Sequence, residues 1–126
     1  MATKRASSAI QPRRLASYDR LISTVPGVVR RGASIPYTSV NGNMFSYLFG
    51  EGSLALRLSP ADREAFVTGF GAHLHEAYGI VQKEYVDVPD ALLDDIAQLG
   101  SWFAASYAYV SSLRPKPTTR RSKQNE

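Results

Sequence analysis

Asn41-Gly42 commits the middle of this chain to a hairpin, because both residues tolerate the positive φ of a type I′ turn. Met44 to Phe49 then reads as the strand after the turn, and Val28 to Val40, interrupted by Gly32 and Pro36, as an irregular strand before it. Gly50-Glu51-Gly52 turns the chain again into Leu54–Leu58. There Leu54, Leu56 and Leu58 alternate with Ala55 and Arg57, the pattern of an antiparallel sheet covered on one side.

Helical spacing flanks this meander. Leu15, Tyr18, Leu21 and Ile22 predict a first helix, stopped by Pro26-Gly27. Ser59 is a strong N-cap, Pro60 suits the first helical position, and Asp62 places negative charge near the positive end of the helix dipole. That second helix is expected to reach about Thr68 and end at Gly69. His73 to Val81 fits a loop or a short strand, and Lys83 to Val88 a strand. Pro89 is expected to open one last helix, whose seam is Leu92, Ile96, Leu99, Phe103, Tyr107 or Ser106, Val110 and Leu113. Gly100 should weaken or bend it, by about 1 kcal/mol relative to Ala. The expected class is α+β, a two-layer fold of order α-β-β-β-α-β(β)-α with helices packed on an antiparallel sheet.

Charge divides the 126 residues into three parts. Residues 1–14 carry Lys4, Arg5, Arg13 and Arg14 with no acid, and 114–126 carry Arg114, Lys116, Arg120, Arg121 and Lys123 against Glu126. Six basic and ten acidic residues give 15–113 a net charge of −4. One domain over 15–113 between basic, disordered tails is therefore expected, with the C-terminal cations as candidate polyanion contacts. No apolar run approaches the ~20 residues of a membrane span, and the first residues lack the apolar stretch of a secretory signal, so a cytoplasmic protein without membrane contact is expected.

Few residues point to chemistry. The chain has no Cys, which excludes disulfides, thiolate metal sites and a cysteine nucleophile. His73 and His75 would share one face of a strand, but with Glu76 they make an incomplete metal shell, and neither metal nor cofactor is expected. Asp62, Glu64, Glu84, Asp87, Asp90, Asp94 and Asp95 form no recognisable catalytic pair, and Asp90, Asp94 and Asp95 suit the early turns of a helix. Gly69-Phe70-Gly71 lies in no phosphate-binding pattern, and no G-x-S-x-G elbow occurs. No enzyme is expected. Phe45, Tyr47 and Phe49 are expected on one face of their strand, with Met44, Ser46 and Leu48 on the other. Tyr37, Phe45, Tyr47, Phe49, Arg57, Lys83 and Tyr85 are thus the candidate interaction surface.

Val40-Asn41-Gly42-Asn43-Met44-Phe45, Leu56-Arg57-Leu58-Ser59 with Asp62-Arg63-Glu64, Lys83-Glu84-Tyr85-Val86 and Val88-Pro89 resemble the N-terminal domain of the TfoX/Sxy family. Trp102, Ser106-Tyr107, Tyr109-Val110 and Leu113 resemble its last helix, so the likeness runs from about Leu15 to Lys116. It implies a two-layer sheet-and-helix fold like that of secretion chaperones, and kinship with bacterial regulators of natural competence that act through protein partners. Ser34-Ile35-Pro36-Tyr37 stands where family members commonly carry a Met-Phe-Gly-Gly-like segment, and their second, helical domain has no counterpart here. The family supplies no catalytic residues to carry over. The expected function is a non-enzymatic regulatory module with a protein partner, transcription-related by this resemblance, or a homo-oligomer. The alternative is a nucleic-acid-associated protein that binds through its basic tails.

Overall fold

The computed structural model describes residues 10–32, 34–77 and 79–115. Its elements are α1 (Pro12–Ile22), β1 (Tyr37–Val40), β2 (Asn43–Phe49), β3 (Ser53–Arg57), α2 (Pro60–Phe70), β4 (Leu74–Ala77), β5 (Ile80–Val88), α3 (Asp90–Leu93) and α4 (Ile96–Ser111). The strands form one antiparallel sheet of order β1-β2-β3-β5-β4, and the protein is of the α+β class. No helix among the described residues is long and apolar enough to cross a membrane.

The central strands follow the alternation in the sequence. Leu54 and Leu56 of β3 pair with Val88 and Val86 of β5, and all four are buried towards the helices. Ala55 and Arg57 pair with Asp87 and Tyr85 on the opposite face. Ser59 caps α2 by accepting a hydrogen bond from the Asp62 N–H at 3.3 Å. The helix runs through Gly69 to Phe70, two residues beyond expectation. Gly71, at φ +63°, supplies the left-handed cap that ends it.

On the helix side, Phe103 of α4 stacks on Phe45 with ring centroids 5.4 Å apart. Phe66 of α2 meets Trp102 of α4 edge-on at 5.1 Å. The core of Tyr18, Leu21, Leu48, Leu56, Phe66, Leu99 and Phe103 is fully buried. A polar thread crosses it: the Tyr18 hydroxyl lies 2.7 Å from Ser46 Oγ, which lies 2.5 Å from Thr38 Oγ1. Burial holds the Tyr18 phenol far above its ordinary range, against the opposing effect of its bond to Ser46.

Four expectations change. The first helix begins at Pro12, not Leu15, because Pro12 takes the first helical position where a missing N–H costs nothing. Arg13 and Arg14 are therefore not tail residues. They pair with Asp94 at 3.1 Å and Asp90 at 3.2 Å, and so bind the start of the chain to the acids around α3. Of Val28–Val40 only Tyr37–Val40 is strand, joined by one bridge from Arg31 to Tyr37 across a turn through Gly32 at φ +97°. His73–Val81 becomes a β-hairpin with Gly79 at φ +74°, and β5 starts at Ile80 rather than Lys83.

The expected single last helix is two. Pro89 caps a short turn of helix, and the chain leaves helical geometry at Asp95 (φ −111°, ψ 75°), whose carboxylate then accepts from the Gln98 N–H and caps α4. The Asp94 carboxylate accepts from Ser17 Oγ at 3.1 Å and pairs with Arg13, and these contacts lower its proton affinity. The acids Asp90, Asp94 and Asp95 thus do separate structural work. The tails of residues 1–9 and 116–126, with Lys116, Arg120, Arg121 and Lys123, lie outside the described residues.

Candidate functional site: a curled sheet face lined by aromatic rings

The sheet face turned away from the helices is set by two irregularities. The first lies between β1 and β2, where Thr38 faces Ser46 but Ser39 faces Met44, so Phe45 is an extra residue. This bulge turns Phe45 into the core beside Ser46, whereas Tyr47 and Phe49 point the other way. The expected common face of Phe45, Tyr47 and Phe49 is therefore wrong for Phe45. Met44 takes its place, next to Tyr37, Tyr47 and Tyr85.

The second irregularity lies between β4 and β5. Leu74 faces Val86, yet His75 faces Gln82, so Lys83, Glu84 and Tyr85 have no partner on β4. The tip of the hairpin bends over the sheet. In a flat sheet β4 would lie roughly 14 Å from β2, three strand spacings away. Instead the His75 ring is 4.5 Å from Phe49 and 5.4 Å from Tyr47. Ala55 lies on this face of the sheet and is fully buried; a larger side chain there would compete for the space of the overlying rings.

His75 is 3% exposed. Its Nδ1 lies 2.6 Å from Asp87 Oδ1, and the paired Ala55, Asp87 and His73 backbones hold that carboxylate in place. Where an ionised Asp87 accepts this bond, Nδ1 is the nitrogen that carries the proton and donates it. Nε2 is buried and has no hydrogen-bond partner among the described residues. An imidazole oriented by a carboxylate can act as a base, but among the described residues no hydroxyl stands within hydrogen-bonding distance of Nε2 as a nucleophile. Among the described residues no three His, Asp or Glu side chains gather as a metal site.

Two adjoining cavities open on this face. One of about 620 Å³ is bounded by Met44, Tyr37, Tyr85 and Gln82, and one of about 350 Å³ by His75, Phe49, Leu48 and Ile10. Ser34, Ile35, Tyr47 and Ala77 border both. Tyr37, Tyr47, Phe49, Arg57 and Tyr85 are thus brought to one face as the sequence suggests. Lys83 stands exposed at the bulged corner, beside Arg57 and Glu84. Arg57 is engaged: it donates to Glu84 at 2.6 Å. Arg114 is exposed just after α4, and its carbonyl accepts from Asn43 Nδ2 at 3.1 Å. By sequence, His75 was weighed only with His73 and Glu76 as an incomplete metal shell and Asp87 only among acids without a catalytic partner, and Met44, Ile35 and Ala77 were not singled out as site residues.

The Tyr85 hydroxyl donates to the Met44 carbonyl at 2.8 Å, and burial pushes its pKa up to about 12 despite Arg57 nearby. A phenol whose folded pKa exceeds the ordinary ~10 keeps its full contribution below that pH, where folded and unfolded forms both hold the proton. As pH climbs towards about 12 the unfolded form alone ionises, and stability falls. Between about pH 9 and about pH 11 Tyr85 should account for a loss of ~1 kcal/mol. Urea unfolding at the two pH values should show a shallower loss in Tyr85→Phe than in the parent. An equal loss would mean that Tyr85 titrates as a free phenol.

No protein-family model, curated protein or solved structure matches this chain.

Proposed function

We propose that the protein is a non-enzymatic regulatory module of the cytoplasm that holds a protein partner on the curled face of its sheet. The resemblance to TfoX/Sxy N-terminal domains supports a regulatory role and a transcription-related partner. The observation that carries the reading is the pair of adjoining cavities with apolar side chains left in solvent at their rim. Ile35 is 53% exposed and Met44 39%, and both line the larger cavity. Apolar side chains gathered at the mouth of a cleft are what a protein interface buries. The rings beneath, packed edge-on to one another and to His75, do not offer the open faces on which nucleic-acid bases stack.

Ala77 borders both cavities, so Ala77→Trp would fill the cleft without touching the helix-side core. Immobilised wild-type protein should retain from extracts of the native host a partner that the Ala77→Trp variant, with an unchanged circular dichroism spectrum, releases. Retention of the same proteins by both forms, or of none by either, would contradict the proposal.

A further inference from the structure

We infer that the free edge of β4 receives an extended segment of the partner, which adds to the sheet as a further strand and reads basic, apolar, apolar along its length. This deepens the partner-binding reading and rests on it for the occupied side of the molecule. The smaller cavity is bordered by His75, Glu76 and Ala77 in succession. Neighbouring residues of a strand point to opposite faces, so it is the edge of a strand that presents three in a row. Among the described residues none from β5 borders this cavity, which therefore lies on the side of β4 that β5 leaves free. Its far wall is the end of β2, again in succession from Tyr47 to Gly50.

That edge is open in its backbone. The Asp87 N–H donates to the His73 carbonyl at 2.8 Å, so His73 directs its carbonyl towards β5. Alternation along the strand then turns the N–H and C=O groups of Leu74 and Glu76 outward, where they have no partner among the described residues. Both residues are exposed, so an incoming segment can reach them. At the opposite edge of the sheet, Tyr37 of β1 already exchanges backbone bonds with Arg31 at 2.8 and 3.0 Å. β4 carries neither Pro nor Lys, two common protections of an edge.

The side chains choose the segment. In an antiparallel addition, three successive residues would face Glu76, His75 and Leu74 in that order. The first meets the Glu76 carboxylate, which has no ion pair among the described residues, and is best a Lys or Arg. The second shares the face of His75 and points towards the cavity bordered by Phe49, Ile10 and Ile35, so it is apolar. The third lies beside Leu74, 40% exposed, and is apolar as well. A second copy fits worse. About a two-fold axis, two β4 edges would set Glu76 against Glu76 or Leu74 against Glu76, and neither register is complementary.

The test is an NMR titration of the whole labelled chain with the blocked peptide acetyl-Thr-Lys-Leu-Val-Thr-amide, with its form N-methylated at Lys and Val, and with its Lys-to-Glu form. The parent peptide should saturate one site, shift the Leu74 and Glu76 amides and slow their exchange with water. N-methylation removes the two donors that would face β4, and should weaken binding at least about tenfold. The Glu form should bind about threefold more weakly or worse, and Glu76→Lys, a change at an exposed side chain, should reverse that preference. Equal affinity of the parent and N-methylated peptides, or no saturable binding of the parent, would overturn the inference. So would a free chain that is already a dimer with the Leu74 and Glu76 amides protected, which would give the edge to a second copy. The wild-type comparison decides even if the variant does not fold. A partner that covers the cavities without adding a strand would still be captured, so the two readings fail separately.

Discussion

Replacing Phe103 by Ala is expected to lower the free energy of unfolding by about 3–5 kcal/mol, the cost of removing a buried aromatic ring and leaving part of its cavity. Phe103 has no exposed surface and packs on Phe45, the residue that the β2 bulge turns into the core. Phe45 also meets Tyr107 at 5.8 Å, so the truncation leaves that ring with Tyr107 as its aromatic neighbour on α4. Leu56→Ala, one strand further in and fully buried, should cost about 2–5 kcal/mol by the same mechanism. Against a typical total of ~5–15 kcal/mol, either change should move the urea midpoint far outside experimental error. A loss below about 1 kcal/mol for Phe103→Ala would mean that α4 does not press on the bulge.

The second large effect is at the start of the chain. A chain shortened to begin at Leu15 should be less stable than one beginning at Ile10 by about 2 kcal/mol, through a lost helical turn and two lost ion pairs. Arg14 matters most. Its side chain is only 15% exposed, its guanidinium reaches Asp90 at 3.2 Å, and its stem lies so close over Gly52 that a Cβ there would strike it. The Gln11 N–H also donates to the Glu51 carbonyl at 3.0 Å, which ties the helix start to the β2–β3 turn. Thermal unfolding of the two chains side by side measures the difference. Equal midpoints would show that residues 10–14 rest on the surface without supporting it.

The parts of the fold that were legible in the sequence are those where one local rule acts alone. Asn41-Gly42 had only one economical geometry, and Asn41 does adopt φ +54°. The Leu54, Leu56, Leu58 alternation has one possible facing, and Ser59 had no rival as a cap. Legibility ended where the period slips. Phe45 follows the two-residue rhythm of its strand on paper, but one extra residue opposite Thr38 and Ser39 sends it to the core. Nothing in the side chains of Met44-Phe45-Ser46 marks the bulge. The same holds for Lys83-Glu84-Tyr85, whose missing partners on β4 bend the hairpin and carry His75 over Tyr47 and Phe49. The aromatic half of the candidate site was therefore visible as residue types. Its polar half, His75 with Asp87, depends on a long-range fold-over between residues 12 apart and was not. The split of the last helix at Asp95 was hidden because an acid suits an early helical turn and an N-cap equally well.

The claim on which the rest depends is that the curled sheet face, and not the helix layer, is the receiving surface. Amide chemical-shift mapping on the labelled protein, titrated with the partner captured by the wild type, addresses it residue by residue. The account predicts perturbations concentrated at Ile35, Met44, Tyr47, Ala77 and Gln82, around the two cavities. Perturbations confined to the outer surfaces of α1, α2 and α4, with those five amides unmoved, would contradict it.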